Sequence, residues 1–292
     1  MTASDNTIAF QGKPGAYSHL ACQEAFPSMT TLPCASFEDV FQAVEDGDAR
    51  LAMLPIENSV AGRVADVHHL MPLSSLQIIG EHFHKVNHSL LGVPGAGISD
   101  LAVVHSHIQA LSQCRRALRR LGVEPASHAD TAGAAHDVAG QGDPAHGAIA
   151  SELAARIYGL DILERDLEDA DHNHTRFLVL SRPLPLPDPG SDSLITSMIF
   201  RVRSVPAALY KALGGFATNG VNLTKIESYM IDGTFSAAQF HVDAEGHPEE
   251  RSMRLALEEL GFFALEVRIL GTYAAHPYRD AMRERAGDRE TD

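Results

Sequence analysis

The chain has 292 residues, and its 23 lysines and arginines against 38 aspartates and glutamates give a formal net charge of −15. This length is enough for about two domains, each with its own core. The negative charge opposes non-specific binding to a polyanion, so a nucleic-acid partner is not expected. If the substrate is an anion, an arginine or inward-pointing backbone N–H groups must supply the favourable charge locally.

The three cysteines, Cys22, Cys34 and Cys114, are odd in number and have no C-x-x-C spacing, so neither a disulfide framework nor a zinc site is predicted. No apolar run approaches the ~18–20 residues that span a bilayer, and the first residues lack a signal pattern. We therefore expect a cytoplasmic protein with no membrane association. His82 and His84 share one strand face, but no third ligand at a fixed spacing accompanies them, so no metal is predicted.

Residues 7–184 alternate short β-rich runs with helical patterns, which predicts a mostly parallel sheet covered by helices. Within this region a helix is predicted from Phe37 to Glu45, with Ser36 as its cap and Asp39 at the capping-box position. One long helix is predicted from about 107 to 121, with its arginines on a solvated face. The predicted strands are 7–11, 50–55, 76–84, 101–105, 147–150 and 176–180.

The proline-rich residues 185–193 predict a domain linker, because proline removes backbone donors and fixes φ. After the linker the predicted order is strand 194–202, helix 206–218, strands 222–231 and 234–242, helix 248–260 and strand 264–271. The Asp232-Gly233 pair is a hairpin turn signal. This βαββαβ order predicts a ferredoxin-like second domain over 194–272, and the charged residues 277–292 predict a disordered tail.

Four polar clusters stand where predicted strands end, the usual location of ligand sites in α/β sheets. Residues 12–18 are glycine-rich, which lets the backbone approach a ligand and lets a helix start aim N–H groups at an anion. Residues 55–59 offer a carboxylate, an amide and a hydroxyl in succession, from Glu57, Asn58 and Ser59. In residues 106–111, Ser106 is a candidate N-cap and Gln109 is not needed for capping.

The fourth cluster, residues 171–177, is the most informative. Thr175 carries a hydroxyl that can donate a hydrogen bond to a leaving oxygen. Arg176 carries a guanidinium whose fork matches a carboxylate. Arg176 would therefore supply the local cation that the net charge requires.

At these clusters the chain resembles the prephenate dehydratases. In family order, residues 12–18 are similar to G-x-P-G-x-Y-S, 55–59 to P-I-E-N-S, 106–111 to S-H-P-Q-A-L, 147–151 to A-A-I-A-S and 173–177 to N-x-T-R-F. Ile108 stands where the family usually has proline. These segments, in the same order as in the family, are spread over nearly all of residues 7–184.

The resemblance implies a two-lobed α/β catalytic region over 7–184, like a type II periplasmic binding protein. It implies conversion of prephenate to phenylpyruvate in phenylalanine biosynthesis, with no metal or organic cofactor. Thr175 would donate to the leaving hydroxyl, and Glu57 is the alternative acid if burial keeps it protonated. The residues expected to bind substrate are Ser18, Asn58, Ser59, Ser106, Gln109, Thr131, Asn173, Arg176 and Phe177.

The second domain resembles an ACT domain, with residues 222–228 in the position of N-L-T-K-I-E-S. Tyr229 and Met230 stand where Arg-Pro is usual, and Ala207 replaces the glycine of a G-A-L element. The effector is therefore left open: phenylalanine, another amino acid, or none. Because ACT domains commonly pair edge to edge, a homodimer or homotetramer is expected. The expected effector-binding residues are Ala207, Leu209, Asn222, Leu223, Thr224, Glu227 and Ser228.

Three other functions stay open at this stage. Arogenate shares the ring, the hydroxyl and the ring carboxylate with prephenate, so an arogenate dehydratase has the same pattern. A non-catalytic small-molecule-binding module is the second alternative, and a regulatory ACT protein with an inactive first region is the third. The cluster of Thr175 and Arg176, together with the complete P-I-E-N-S segment, favours an enzyme over the last two.

Overall fold

The computed structural model describes residues 3–190, 193–203, 205–230 and 237–290. The chain divides into two compact units. The first comprises Met1–Ser74 and His82–Val179, and the second comprises Ser75–Glu81 and Leu180–Asp292. The short segment Ser75–Glu81 thus belongs with the C-terminal part of the chain, which no sequence pattern indicated. No helix in the described residues is both long and apolar enough to cross a bilayer.

Two sheets account for the strands up to residue 181. The first has the order β2-β1-β3-β11-β5, with β4 paired to β3, and the second has the order β10-β6-β9-β7-β8. β1 pairs in parallel with β2 and β3, whereas β6 runs antiparallel to β9 and β10, so the predicted parallel pattern holds only in part. The strands are β1 Thr7–Gln11, β2 Thr30–Cys34, β3 Leu51–Asn58, β4 Gly62–Arg63, β5 Gln77–Lys85, β6 Ser89–Gly92, β7 Val103–His107, β8 Glu124–His128, β9 His146–Ala150, β10 Asp161–Glu164 and β11 His174–Ser181.

Strands β2 and β8 were not predicted, and both lie at an end of their sheet. Each contains a proline, Pro33 or Pro125, which removes a backbone donor and is tolerated at a sheet edge. Neither strand has the run of β-branched residues by which a buried strand is recognised. Their pairing with β1 and β7 is what makes them strands.

The helices of this region are α1 Tyr17–Ala25, α2 Phe37–Glu45, α3 Ala65–Leu70, α4 Ile108–Gln113, α5 Arg115–Leu121, α6 Thr131–Gln141 and α7 Glu152–Tyr158. The prediction for α2 is confirmed, including its capping box: Asp39 N–H donates to Ser36 Oγ at 3.1 Å, and Ser36 N–H donates to Asp39 Oδ2 at 3.0 Å. Both bonds join residues three positions apart, so they are visible in the sequence.

The single helix predicted from 107 to 121 is wrong, because the chain breaks it at Cys114 into α4 and α5. The Asp169 carboxylate accepts hydrogen bonds from the Arg115 and Arg116 N–H groups, both at 3.1 Å, and so stabilises a second helix start. The predicted N-cap is also wrong: His107, not Ser106, caps α4, and its ring accepts from Gln109 N–H.

The second unit contains a four-stranded sheet in the order β13-β14-β12-β15. Its elements follow the predicted βαββαβ order, and the predicted Asp232-Gly233 turn lies outside the described residues. Apolar side chains from the strands and both helices form its core, including Met198, Phe200, Phe216, Val242 and Leu260. The elements are β12 Leu194–Val202, α8 Ala208–Thr218, β13 Leu223–Met230, β14 Ala237–Glu245, α9 Arg251–Phe263, β15 Ala264–Ala274 and α10 Tyr278–Glu290.

The disordered tail predicted for 277–292 is wrong for most of its length, since α10 occupies Tyr278–Glu290. Arg279 at its start is buried and donates to both carboxylate oxygens of Glu81, at 2.6 and 2.9 Å. The two partners are 198 positions apart, so no local pattern could reveal this ion pair. A buried charge that is paired in two places stabilises the start of a helix whose composition alone predicts disorder.

Candidate active site

A cavity of about 540 Å³ lies in the first unit, where elements of both of its sheets meet. Asn58 from β3, Gln109 from α4 and Thr175 from β11 all line it, as the sequence hypothesis required. The other predicted substrate ligands in its lining are Ser18, Thr131 and Phe177.

Successive side chains of β11 point to opposite faces of the sheet, so the consecutive residues Thr175 and Arg176 have different surroundings. Thr175 and Phe177 line the cavity, whereas Arg176 is only 4% exposed and donates through Nη1 to Glu57 Oε1 at 2.9 Å. Neither member of this ion pair lines the cavity. The predicted binding of a substrate carboxylate by Arg176 and the predicted acid role of Glu57 stay predictions, and in the structure the two side chains pair with each other.

Three other predicted substrate ligands lie outside the cavity lining and have structural partners instead. The Ser59 hydroxyl donates to the backbone carbonyl of His172 at 2.6 Å and so joins the end of β3 to the segment before β11. Ser106 is fully buried, and its hydroxyl donates to the Ile149 carbonyl on β9 at 2.6 Å. Asn173 is also fully buried. The substrate-binding role predicted for these three side chains stays a prediction.

The backbone fixes the orientation of the Asn58 amide. Asn58 Oδ1 accepts hydrogen bonds from the N–H groups of Val60 at 2.9 Å and Ala61 at 2.8 Å. Its Nδ2 therefore points the other way and donates to Thr175 Oγ1 at 3.0 Å and to Asn173 Oδ1 at 2.8 Å. Because Thr175 accepts through its oxygen, its own proton is left to donate to a ligand in the cavity.

The hydrogen-bond network extends to side chains that the sequence did not single out. Asn173 Nδ2 donates to Gln113 Oε1 at 3.0 Å, and His88 Nε2 lies 2.9 Å from the same oxygen. His88 Nδ1 in turn lies 2.7 Å from the Tyr17 hydroxyl. Gln113 follows Gln109 by one helical turn, so helical spacing could have identified it, whereas His88 carries no such signal.

Burial keeps both ends of this network uncharged. Desolvation lowers the pKa of His88, against smaller opposing effects of its hydrogen bond to Gln113 and of the Glu168 charge. Desolvation likewise raises the pKa of the Tyr17 hydroxyl, with added repulsion from Cys114 and Glu168. At neutral pH His88 is therefore a neutral imidazole, and Tyr17 is protonated.

Two groups with positive potential border the cavity. Arg63 on β4 lines the cavity. The helix α1 begins at Tyr17 against the same cavity, and its N-cap residue Ala16 makes no side-chain capping hydrogen bond. Backbone N–H groups at the positive end of a helix favour an anion. The cavity therefore combines one guanidinium and one helix N-terminus with the carboxylates of Asp66 and Asp130.

The second unit has a cavity of its own, of about 850 Å³. Among the predicted effector ligands, Ala207, Leu209, Glu227 and Ser228 line this cavity. The predicted effector ligands Asn222, Leu223 and Thr224 do not line it: Leu223 and Thr224 begin β13, and Asn222 directly precedes that strand.

A cavity lined by several hydrogen-bonding side chains is typical of an enzyme that acts on a small molecule. Comparison with known families identifies the kind of enzyme: a family model described as prephenate dehydratase matches residues 8–184. The chain belongs to the prephenate dehydratase family, whose members are carbon–oxygen lyases.

Individual relatives span nearly the whole chain. A bifunctional N-acyl-homoserine lactone acylase/prephenate dehydratase of Komagataeibacter europaeus is 52% identical over 276 residues, covering 94% of this chain and 98% of the relative. The arogenate dehydratase/prephenate dehydratase 1 of Arabidopsis thaliana is 42% identical over 280 residues, covering 91% and 71%. The crystal structure of prephenate dehydratase in complex with L-Phe from Arthrobacter aurescens has a TM-score of 0.85 at 30% identity, covering 92% and 90%.

Proposed function

We propose that the chain converts prephenate to phenylpyruvate in L-phenylalanine biosynthesis, through the cavity that Thr175 and Asn58 share. The observation that carries this proposal is the hydrogen bond from Asn58 Nδ2 to Thr175 Oγ1 at 3.0 Å, which leaves the threonine proton for the substrate. Loss of carbon dioxide and hydroxide makes the ring aromatic, so the substrate supplies most of the driving force. The enzyme needs mainly to orient the substrate and to stabilise the departing oxygen.

Thr175 donates a hydrogen bond to the ring hydroxyl as its C–O bond breaks. The electrons of the departing carboxylate carbon enter the ring, and hydroxide leaves from the opposite carbon. The balanced reaction takes the prephenate dianion and one proton to the phenylpyruvate anion, carbon dioxide and water. No electrons pass to or from the protein. The proton comes from solvent, because Thr175 assists by hydrogen bonding and keeps its own proton at the end of the cycle.

The substrate carboxylates are proposed to bind at Arg63 and at the N-terminus of α1. Both line the cavity, and both carry positive potential in a chain of net charge −15. Gln109 and Thr131, which also line the cavity, supply neutral hydrogen bonds. This arrangement assigns to Arg63 the part that Arg176 was expected to have.

The activity is tested by incubating the purified protein with prephenate and following phenylpyruvate in alkali. Arogenate, presented in parallel, reveals the preferred substrate through the ratio of the two kcat/KM values. Formation of phenylpyruvate supports the proposal. A protein that binds prephenate without converting it would instead be the non-catalytic alternative.

A second activity has one observation in its favour. The 52% identical relative is a bifunctional enzyme that is also an N-acyl-homoserine lactone acylase. Hydrolysis of an N-acyl-homoserine lactone by this chain would release the fatty acid and homoserine lactone, with water as the co-reactant. Quantifying homoserine lactone by mass spectrometry, with heat-denatured protein as the blank, tests it. An activity unchanged in Thr175→Ala would show that acylase chemistry uses other residues.

The second unit is proposed to be an ACT domain that binds an amino-acid effector. Its βαββαβ order and its own cavity support this, and a 30% identical relative was crystallised with L-Phe. Tyr229 and Met230 replace the usual Arg-Pro, so the amino acid is left open. Calorimetric titration with phenylalanine and other amino acids tests the site. Glu227→Ala is the control, because a smaller binding heat in this variant would show that the amino acid binds in this cavity. No heat with any amino acid would contradict the proposal.

The chain is also proposed to form a homo-oligomer, and the surface that supports this is the edge strand β15. In the described residues β15 pairs with β12 alone. Leu265, Val267 and Ile269 of this strand are exposed. They alternate with Glu266 and Arg268, so one face of the edge is apolar and the other is charged. An exposed apolar strand edge tends to pair with another chain.

The sequence of β15 is complementary to itself. If two copies pair antiparallel about Val267, Leu265 faces Ile269 of the second copy, and Glu266 faces Arg268 of the second copy. Reversing one charge, as in Arg268→Glu, is expected to weaken self-association, and the double exchange Glu266→Arg with Arg268→Glu is expected to restore it. Analytical ultracentrifugation measures both. Equal association by the single and double variants would rule out this surface.

We also propose that the protein is cytoplasmic and that its first region has the two-lobed arrangement of a periplasmic binding protein. The proposed domain boundaries are 7–184 for the catalytic region and 194–272 for the ACT domain. Fractionation of the native host with an antibody to this chain tests the location. Expression of residues 1–184 alone, followed by thermal melting, tests whether the first region folds by itself.

A further inference from the structure

We propose that Tyr158 and Ser151 are positioning residues: from α7 they hold the segment of residues 12–16 and so fix the N-terminus of α1 against the cavity. The proposal rests on the proposed function, in which that N-terminus binds a substrate carboxylate. It adds two side chains that do not themselves line the cavity.

The segment and the helix that holds it belong to different sheets. The strand β1, which precedes the segment, lies in the first sheet, and α1, which follows it, packs on that sheet. The helix α7 packs on the second sheet, where Ala154 and Ala155 share a core with residues of β6 and β9. Gly12 and Ala16, the two ends of the segment, line the cavity. Bonds between α7 and the segment therefore tie the two sheets together beside the cavity.

Two consecutive carbonyls of the segment accept hydrogen bonds from the side chains of α7 and of its N-cap. The Tyr158 hydroxyl donates to the Pro14 carbonyl at 2.7 Å, and the Ser151 hydroxyl donates to the Gly15 carbonyl at 2.6 Å. Ser151 is buried, so water does not compete for its bond. Burial raises the pKa of the Tyr158 hydroxyl, which is therefore protonated at neutral pH and can donate.

The backbone of the segment also packs directly against that of α7. Gly15 has a φ of 95°, and a Cβ at this position would lie 2.7 Å from Ala154 Cα, so glycine alone fits there without a shift of the backbone. The Gly15 N–H donates to His19 Nδ1 of α1 at 3.0 Å, while its carbonyl accepts from Ser151. Gly15 is therefore bonded to α1 through one peptide group and to the start of α7 through the other.

The orientation of the segment determines where the first N–H groups of α1 point. This helix begins at Tyr17, two residues after Gly15, and the first N–H groups of a helix have no partner within it. Tyr17 and Ser18 line the cavity, and Ser18 is only 8% exposed. Without a bond to α7 the segment gains conformations in which these groups turn away from the cavity. A smaller fraction of molecules is then ready to bind an anion, which weakens substrate binding and leaves the later chemical step unchanged.

Tyr158→Phe removes one hydroxyl and keeps the ring that packs edge-on against His136. KM for prephenate is expected to rise about fivefold with kcat little changed, the effect of losing one hydrogen bond that favours the binding-competent state. Ser151→Ala should raise KM in the same way, and Ser151→Thr, which keeps the hydroxyl, should recover most of the loss. Glu152→Gln is the matched control, because it breaks an exposed ion pair between α7 and Arg165 and leaves the segment untouched.

The division between KM and kcat separates positioning from simple destabilisation, which would reduce the folded fraction without changing KM. A native KM in Tyr158→Phe, or a loss confined to kcat, would overturn the proposal. The same is true if Glu152→Gln raises KM as much as Tyr158→Phe does.

Hydrogen exchange of the full chain without substrate, followed by mass spectrometry, does not depend on turnover. Backbone amides of residues 12–20 are expected to exchange faster in Tyr158→Phe than in the native chain, and at the native rate in Glu152→Gln. Native exchange in Tyr158→Phe would refute the positioning role even if prephenate is converted. Faster exchange in a protein that does not convert prephenate would support the anchoring by α7 and count against the proposed function instead.

Discussion

The side-chain amide of Asn58 donates to Thr175 Oγ1 at 3.0 Å, although the two residues are 117 positions apart in the chain. The bond joins the end of β3 to the start of β11, which are neighbours in the first sheet. It occupies a lone pair of the threonine oxygen and leaves the hydroxyl proton to the cavity. The chemistry proposed for the protein therefore depends on a pair of residues rather than on either alone.

Removing the Thr175 hydroxyl should reduce the chemical step. Thr175→Ala is expected to lower kcat by ~10²-fold or more, the usual effect of losing a positioned donor. Thr175→Ser, which keeps the hydroxyl, is the matched control and should retain far more activity. Steady-state kinetics with prephenate measure both variants. A near-normal kcat for Thr175→Ala would remove the assignment.

Reversing the Asn58 hydrogen bond should be as informative as removing it. Asn58→Asp keeps the oxygen that accepts from the backbone N–H groups of residues 60 and 61, but it replaces the donating nitrogen by an acceptor. The Thr175 proton would then turn to the new carboxylate and away from the substrate. We expect a fall in kcat of about tenfold or more with the fold retained by circular dichroism. An Asn58→Asp enzyme with native kcat would show that this bond does not matter.

Arg63 and Arg176 should respond differently to the same substitution. Arg63→Met is expected to raise KM about tenfold with thermal stability preserved, since it removes a charge from the cavity wall. Arg176→Met leaves Glu57 without its buried partner and is expected to lower the free energy of unfolding by ~3 kcal/mol. Kinetics and urea unfolding of both variants test this. A raised KM with native stability in Arg176→Met would reinstate the role predicted from sequence.

The backbone at Ala207 is strained, since its φ is 62° and its ψ is 14°, a left-handed conformation that favours glycine. Ala207→Gly is expected to raise the free energy of unfolding by about 1 kcal/mol, because the Cβ that opposes this conformation is removed. Ala212→Gly, inside α8, is the control and should destabilise by a similar amount. Urea unfolding compares them. A destabilised Ala207→Gly would contradict the explanation.

Glu24 predicts an acid-dependent contribution to stability. It accepts hydrogen bonds from His82 Nε2 at 3.0 Å and His84 Nδ1 at 2.9 Å, and these bonds lower the pKa of the carboxyl to about 2. A carboxyl with a lowered folded pKa stabilises the fold above its ordinary pKa, and this contribution is lost as pH falls from about 4.5 toward 2. Partial exposure of Glu24 reduces its size. The stability difference between the native chain and Glu24→Gln should shrink from pH 7 to pH 3. A constant difference would contradict the assignment.

Much of the architecture could be predicted because its causes are local. The capping box of Ser36 and Asp39 lies within four residues, so α2 was predicted with its correct bounds. Buried strands such as β1 and β12 show as apolar runs, and polar clusters at strand ends indicated where a cavity would form. Asn58 and Thr175 meet there because β3 and β11 are neighbours in one sheet, and Gln109 joins them from α4, which follows β7 of the second sheet.

Sequence alone therefore determined α2, the main buried strands, the βαββαβ order of the second unit and the clusters of candidate residues, since these depend on propensity, periodicity and short-range capping. Only the tertiary structure decided which of these residues face the cavity. Arg176 lies on the face of β11 opposite Thr175 and pairs with Glu57, so it does not line the cavity. The helix break at Cys114 depends on Asp169, and the buried Arg279 depends on Glu81, and both partners lie far along the chain. The same holds for His88 and Gln113, because their side chains meet only in the folded protein.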